Sequence, residues 1–197
     1  MAQWMARLLN FEASRPAKRA DEILNKVRLR EGDTVADIGA GGGYFAFLFS
    51  RAVGEKGTVY AADTKPDFRD FIQRQAAKKG LGNIRTVPAG EGTLSLPENG
   101  VDLIFLRNVF HHLDDPTTYL QGMKGFLKPG GQVAIIDHGP GTRGGFVRTF
   151  KHFTPEEDII GAAETAGYQL VEKHDSLPGQ SFLVFEMSGK EGRETAL

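Results

Sequence analysis

Five histidines, a strand-end aspartate and a cluster of glycines are the residues whose types and spacing could do chemistry in this chain. An imidazole titrates near about pH 6.5, so His111, His112, His138, His152 and His174 are the candidates for moving a proton near neutrality. Glycines stand at 39, 41, 42 and 43, directly after an apolar stretch and just before a helix-forming one. Lacking a Cβ, glycine takes positive φ and lets a ligand approach the backbone closely. A helix N-terminus just beyond offers unpaired N–H groups. Strand, glycine turn and helix together make a cradle for a nucleotide-type ligand. Asp63 ends the next apolar stretch, 24 residues after Gly39. A carboxylate there accepts two hydrogen bonds from a ribose diol.

The elements that must position these residues alternate between strand and helix. Strands are expected at 34–38, 58–62, 84–87, 101–106 and 132–137, and helices at 44–53, 66–79 and 116–127. This βαβα order predicts an α/β fold, a doubly wound parallel sheet with helices on both faces. Residues 138–150 are glycine-rich and read as a loop carrying Arg143, Arg148 and, just beyond, Lys151. A helix follows, with Thr154 as N-cap, Pro155 in its first position and Glu157 completing a capping box. Strands at 168–173 and 181–187 then come without an intervening helix, so they should close the sheet as an antiparallel pair. Seven strands result. Two helices precede them, at 1–11 and 16–27, and either pack on the sheet edge or cover a ligand site as a lid. A single domain of 197 residues is expected, with its core at 34–187.

Composition narrows the classes. The net charge is −1, with 40% apolar and 25% charged residues, and no basic run marks a nucleic-acid or membrane partner. Cysteine is absent, which excludes disulfides, thiolate metal sites and a catalytic thiol. No apolar run reaches the roughly 18 residues that a membrane span requires, and no signal peptide is visible, so a cytoplasmic protein is expected. No local spacing of histidines supports a metal site. The glycines do not fit the dinucleotide fingerprint G-x-G-x-x-G, whose third glycine would fall at Tyr44, and no lysine follows as a P-loop requires.

Four segments in register carry a resemblance. Val35-Ala36-Asp37-Ile38-Gly39-Ala40-Gly41-Gly42-Gly43-Tyr44-Phe45 resembles the first motif of class I S-adenosylmethionine-dependent methyltransferases. Val59-Tyr60-Ala61-Ala62-Asp63 is similar to that family's second strand with its ribose-binding acid. The run from Val101 to Leu113 resembles the fourth strand and its loop, and Leu127-Lys128-Pro129-Gly130-Gly131 the turn before the fifth. The likeness is to the small-molecule, methyltransferase type 11-like members and spans roughly 20–187. It implies the strand order 3-2-1-4-5-7-6 and S-adenosylmethionine as cofactor. By the same resemblance Gly39, Ala40 and Gly41 back the methionine part and Asp37 stands near its amino group. Asp63 holds the ribose, Thr64 or Lys65 flanks the adenine, and Arg107 and Asn108 present backbone groups to the methionine end. The adenine amino group falls to Glu91, or to the backbone of Gly90.

Methyl transfer from a sulfonium needs alignment more than covalent help, plus a base where the acceptor sheds a proton. His111 and His138 follow the fourth and fifth strands at the edge where ligands bind in open α/β sheets, and are the expected base and acceptor-positioning residues. Tyr44 and His152 are expected on the acceptor side, Phe45 facing either ligand. His112 reads as the structural member of its pair, and His174 as remote. The expected reaction is direct in-line methyl transfer to a small molecule, by a monomer or homodimer. The alternatives are a non-catalytic cofactor-binding or interaction module and, third, a nicotinamide oxidoreductase.

Overall fold

The computed structural model describes residues 2–14, 19–90, 94–139 and 153–189. Helices α1 (Ala2–Ser14) and α2 (Ala20–Val27) lead into β1 (Thr34–Ile38), α3 (Tyr44–Val53), β2 (Thr58–Asp63), α4 (Pro66–Lys78) and β3 (Ile84–Pro88). Then come β4 (Val101–Arg107), α5 (Pro116–Met123), β5 (Leu127–His138), α6 (Glu156–Thr165), β6 (Tyr168–Lys173) and β7 (Gln180–Met187). One seven-stranded sheet results, in the order β3-β2-β1-β4-β5-β7-β6. Its neighbours are parallel except for β5–β7 and β6–β7, which run antiparallel. Fold class and strand order are therefore those expected.

Side chains alternate across each strand, so each face of the sheet has its own core. Val35, Leu103 and Phe105 face one side, with Phe45 and Phe49 of α3, Ile23 of α2 and Ile72 of α4. Ala36, Ile104 and Leu106 face the other, with Leu120 and Met123 of α5 and Ile159 of α6. Burial on both faces is why β4 reads as an almost continuous apolar run.

Several boundaries differ from expectation, and α2 starts at Ala20, after Arg19 as N-cap, instead of at 16. Helix α5 stops at Met123, a 3-10 turn spans Lys124–Phe126, and β5 starts at Leu127 instead of 132. Gly125 and Phe126 give their carbonyls to Asn99 and Gly100, and Leu127 pairs with Val101, so the sheet takes the backbone that helical continuation would need. Pro155, with ψ 142°, is the N-cap of α6, not its first residue, and no side chain caps that helix. The N–H of Thr154 instead donates to the His138 carbonyl, tying the returning chain to the end of β5. Helix α1 runs on to Ser14.

Candidate functional site

The strand order reverses between β1 and β4, and the crevice at their C-terminal ends is where open α/β sheets bind ligands. A cavity of about 840 Å³ lies there, within the range of small-molecule sites. Its wall takes Asp37 to Gly42, Tyr44 and Phe45 from the first strand–turn–helix, and Asp63, Thr64 and Lys65 from β2 onward. Arg107, Asn108, Val109 and His112 come from β4 and its loop, Tyr119 from α5, and His138 from the end of β5.

The glycine turn is shaped by its neighbours. Gly39 has φ +69°, and a Cβ there would lie 2.3 Å from Val109 Cγ2. Gly39 and Ala40 donate their N–H groups to the Ala62 carbonyl. Asp63, nearly buried, accepts from Gly41 N at 2.8 Å through Oδ2 and from Lys65 N at 2.9 Å through Oδ1. The strand-end acid thus fastens the turn, a role beyond the ribose contact anticipated for it.

Asp37 lies on the floor, 4% exposed, and its Oδ2 has no hydrogen-bond partner among the described residues. Burial, with a smaller push from Asp63, raises its carboxyl to about 7, against the N–H of Ala46 and the charge of Arg107. Arg107 sits over the Phe45 ring, 4.7 Å from its centroid. Burial lowers its guanidinium to about 10, partly offset by Asp37 and Tyr44. Asn108 holds φ +54° and accepts from Gln180 Nε2 at 2.8 Å, which ties the β4 loop to β7.

The histidines divide differently from expectation. His138 and His112 line the cavity; His111 is absent from its wall. The His111 side chain is 6% exposed and places Nδ1 2.7 Å from Oδ1 of Asp137, itself fully buried. Asp137 also accepts from the N–H groups of His111 at 3.0 Å and His138 at 2.7 Å. A carboxylate can only accept, so Nδ1 of His111 is the donor in this contact. The two adjacent rings, His111 and His112, lie 4.0 Å apart, and His111 and His138 6.4 Å. One turn of 3-10 helix (Phe110–His112) explains the exchange, for it rotates successive side chains by about 120°. Glu91, His152, Arg143, Arg148 and Lys151 lie outside the described residues. Ala89, beside Gly90, reaches the cavity wall.

Helix α1 supplies cavity-wall residues that the sequence did not announce: Leu9, Asn10, Glu12 and Ala13. Asn10 Nδ2 donates to the Gly42 carbonyl at 2.6 Å. A Cβ on Gly42 would sit 2.2 Å from the Ala6 carbonyl oxygen, so the absence of a side chain there is what lets α1 lie on the turn. Asp137 was legible only as the end of a strand.

Known proteins share this arrangement. Residues 36–135 match the family model of the methyltransferase domain. A ubiquinone/menaquinone biosynthesis C-methyltransferase, UbiE, of Francisella tularensis subsp. novicida is 30% identical over 134 residues, 68% of this chain. The chain spans 53% of that enzyme's length, about half. An S-adenosylmethionine-dependent methyltransferase from Aquifex aeolicus is 30% identical in its crystal structure, with a TM-score of 0.75 over 84% of this chain and 88% of its own. The cyclase SpnF shares the fold at 14% identity, with a TM-score of 0.74 over 87% of this chain and 80% of its own. With half of its residues matched by the family model and the seven-stranded order in place, the chain belongs to the S-adenosylmethionine-dependent methyltransferase family.

Proposed function

We propose that the protein transfers the methyl group of S-adenosylmethionine directly to a small-molecule acceptor bound in the same cavity. The observation that carries this reading is the buried Asp37 carboxyl, with one oxygen unpartnered, beside a glycine turn with no room for side chains. Such an acid is costly unless a cation meets it, and the family's cofactor carries an ammonium group. The Asp63 carboxylate oxygens retain lone pairs beyond their two backbone bonds and suit a ribose diol. The cavity also has room beyond a nucleoside cofactor.

When bound, the cofactor supplies an activated sulfonium methyl. The residues of this chain bind, orient and handle the proton. Asp37 holds the ammonium, and the backbone of Gly39 to Gly41 backs the methionine chain. Asp63 fixes the ribose, with Thr64 and Lys65 at the adenine end; Glu91 is proposed for the adenine amino group. Arg107 and Asn108 edge the methionine side. His138 and His112 meet the acceptor beside Tyr44, and His152 stays a proposed acceptor-side residue. Asp137 accepts from Nδ1 of His111 and orients that ring behind the wall as the proposed base. A proton-shedding acceptor suits this cluster, and the Francisella relative's name, a C-methyltransferase of ubiquinone/menaquinone biosynthesis, makes phenols and quinols the first acceptors to try.

Titration calorimetry with the demethylated product should give micromolar-range binding. Asp63→Ala should weaken it by roughly 10–100-fold, the worth of about 1.5–3 kcal/mol for hydrogen bonds to a charged group. No binding to the folded protein would overturn the reading. Tight binding without turnover across a broad acceptor screen would leave a cofactor-binding module instead.

A further inference from the structure

Among the described residues six large apolar side chains stand well exposed, and five of them belong to α1: Trp4, Met5, Leu8, Leu9 and Phe11. Trp4 and Phe11 are each 64% exposed. An ordinary surface helix turns its apolar stripe inward; α1 does the reverse. Its inward stripe is Ala6, Asn10 and Ala13, with Ala6 fully buried and Asn10 bonded to Gly42. Its outward stripe, at the same i, i+4, i+7 spacing, is Trp4, Leu8 and Phe11. The helix cannot roll to hide them, because the Ala6 carbonyl oxygen already lies 2.2 Å from where a Cβ on Gly42 would be. Only small residues fit against the glycine turn, so the bulky ones are held toward solvent.

Charge points to what covers this face. The first thirty residues carry seven Lys/Arg against three Asp/Glu, whereas the rest of the chain carries seventeen against twenty-two. Arg7, three residues after Trp4 and four before Phe11, borders the apolar stripe and is exposed. Aromatic and aliphatic side chains on one helix face with cations alongside are the pattern of a helix lying in the plane of an acidic lipid interface. At 13 residues α1 is too short to cross a bilayer, which takes about 20.

We propose that α1 docks the protein on an anionic lipid surface, with Trp4, Leu8 and Phe11 at the boundary between headgroups and acyl chains and Arg7 against lipid phosphates. The basic charges are scattered and form no run, so they point to a lipid surface only together with the fixed orientation of α1. The same helix provides Leu9, Glu12 and Ala13 to the cavity wall, so docking brings the cavity up to the lipid surface. The proposal does not depend on which acceptor is methylated.

Trp4 is the chain's single tryptophan, so its emission reports this face alone. With vesicles containing phosphatidylglycerol, the full chain should show a blue shift of Trp4 emission and quenching by brominated acyl chains. Binding should be weaker by at least about tenfold for vesicles of phosphatidylcholine alone. The double substitution Leu8→Glu with Phe11→Glu should abolish binding, and Arg7→Glu should weaken it, with the folded state of each variant checked by circular dichroism. Trp4 emission indifferent to anionic vesicles would overturn the proposal, as would equal binding to neutral ones. A blue shift that grows with protein concentration in the absence of lipid, together with a dimer in sedimentation, would assign the face to a second copy and overturn it too.

Discussion

The proposed cofactor side and the proposed acceptor side of the cavity are built in different ways. On the cofactor side, Asp37 to Phe45 form one unbroken strand–turn–helix, and Asp63 to Lys65 sit on the strand paired beside it. On the proposed acceptor side, residues of α1 such as Leu9 and Glu12 meet His112, Tyr119 and His138, so four separate segments contribute. Hydrogen bonds reflect the contrast. The glycine turn is fastened by its own and adjacent backbone, through Ala62 and Asp63. His111 and the backbone of His138 are fastened by one buried carboxylate, Asp137, at the end of β5. A site made from contiguous chain is robust to changes elsewhere; a site assembled from distant parts depends on the few side chains that join them.

That contrast is breakable. The largest effect is expected at Gly39, whose φ is +69° and whose added Cβ would meet Val109. Gly39→Ala should cost about 100-fold in cofactor affinity, near 2.7 kcal/mol, from left-handed strain and the clash together. Near-normal binding by calorimetry would remove the special status of the turn. Next comes Asp137→Asn. It should lower turnover by roughly 30-fold, since orienting the base is what is lost. The cofactor Kd should stay the same and the acid limb of the pH–rate profile should move. A parallel loss of cofactor affinity would show that the two sides are not separable.

A third effect concerns pH. Asp37 is raised from 3.8 to about 7 in the folded protein. Folding of the free protein therefore favours the protonated acid, with stability present below pH 3.8 and lost as pH rises through about 7. The ammonium of the cofactor demands the ionised form, so its affinity should fall by about tenfold per pH unit below about 7. Asp37→Asn should flatten that dependence, and a wild-type Kd constant from pH 5 to about 8 would exclude Asp37 as the counter-charge. The smallest effect is expected from His112→Gln, a loss of one acceptor contact. It should raise the acceptor KM about fivefold and leave cofactor binding unchanged, as measured by initial rates and calorimetry.

Much of this was legible in advance, and unevenly. The parallel sheet and its antiparallel end follow from alternating elements and a terminal pair too close in sequence for a crossover, and the family resemblance implied the full strand order. The proposed cofactor residues cluster on a turn whose glycines, strand and helix are neighbours along the chain, where the resemblance assigned them. Three features were not legible. His111 and His112 are adjacent in sequence and differ only in direction, which a short 3-10 turn decides. Asp137 and His111 are 26 residues apart and meet only because β4 and β5 are paired. Asn10 and Gly42 are 32 apart, and nothing in either local sequence marks the bond.

By itself the sequence determined the sheet and the glycine cradle, because periodicity and turn chemistry act over a few residues at a time, while four motifs in register carried the strand order and the family. Tertiary structure alone decided which histidines face the cavity, that Asp137 holds His111 behind them, and that α1 lies across the turn with its large apolar side chains outward. Those outcomes depend on which side chains fit where elements pack, and close packing around Gly39 and Gly42 leaves little freedom in the answer.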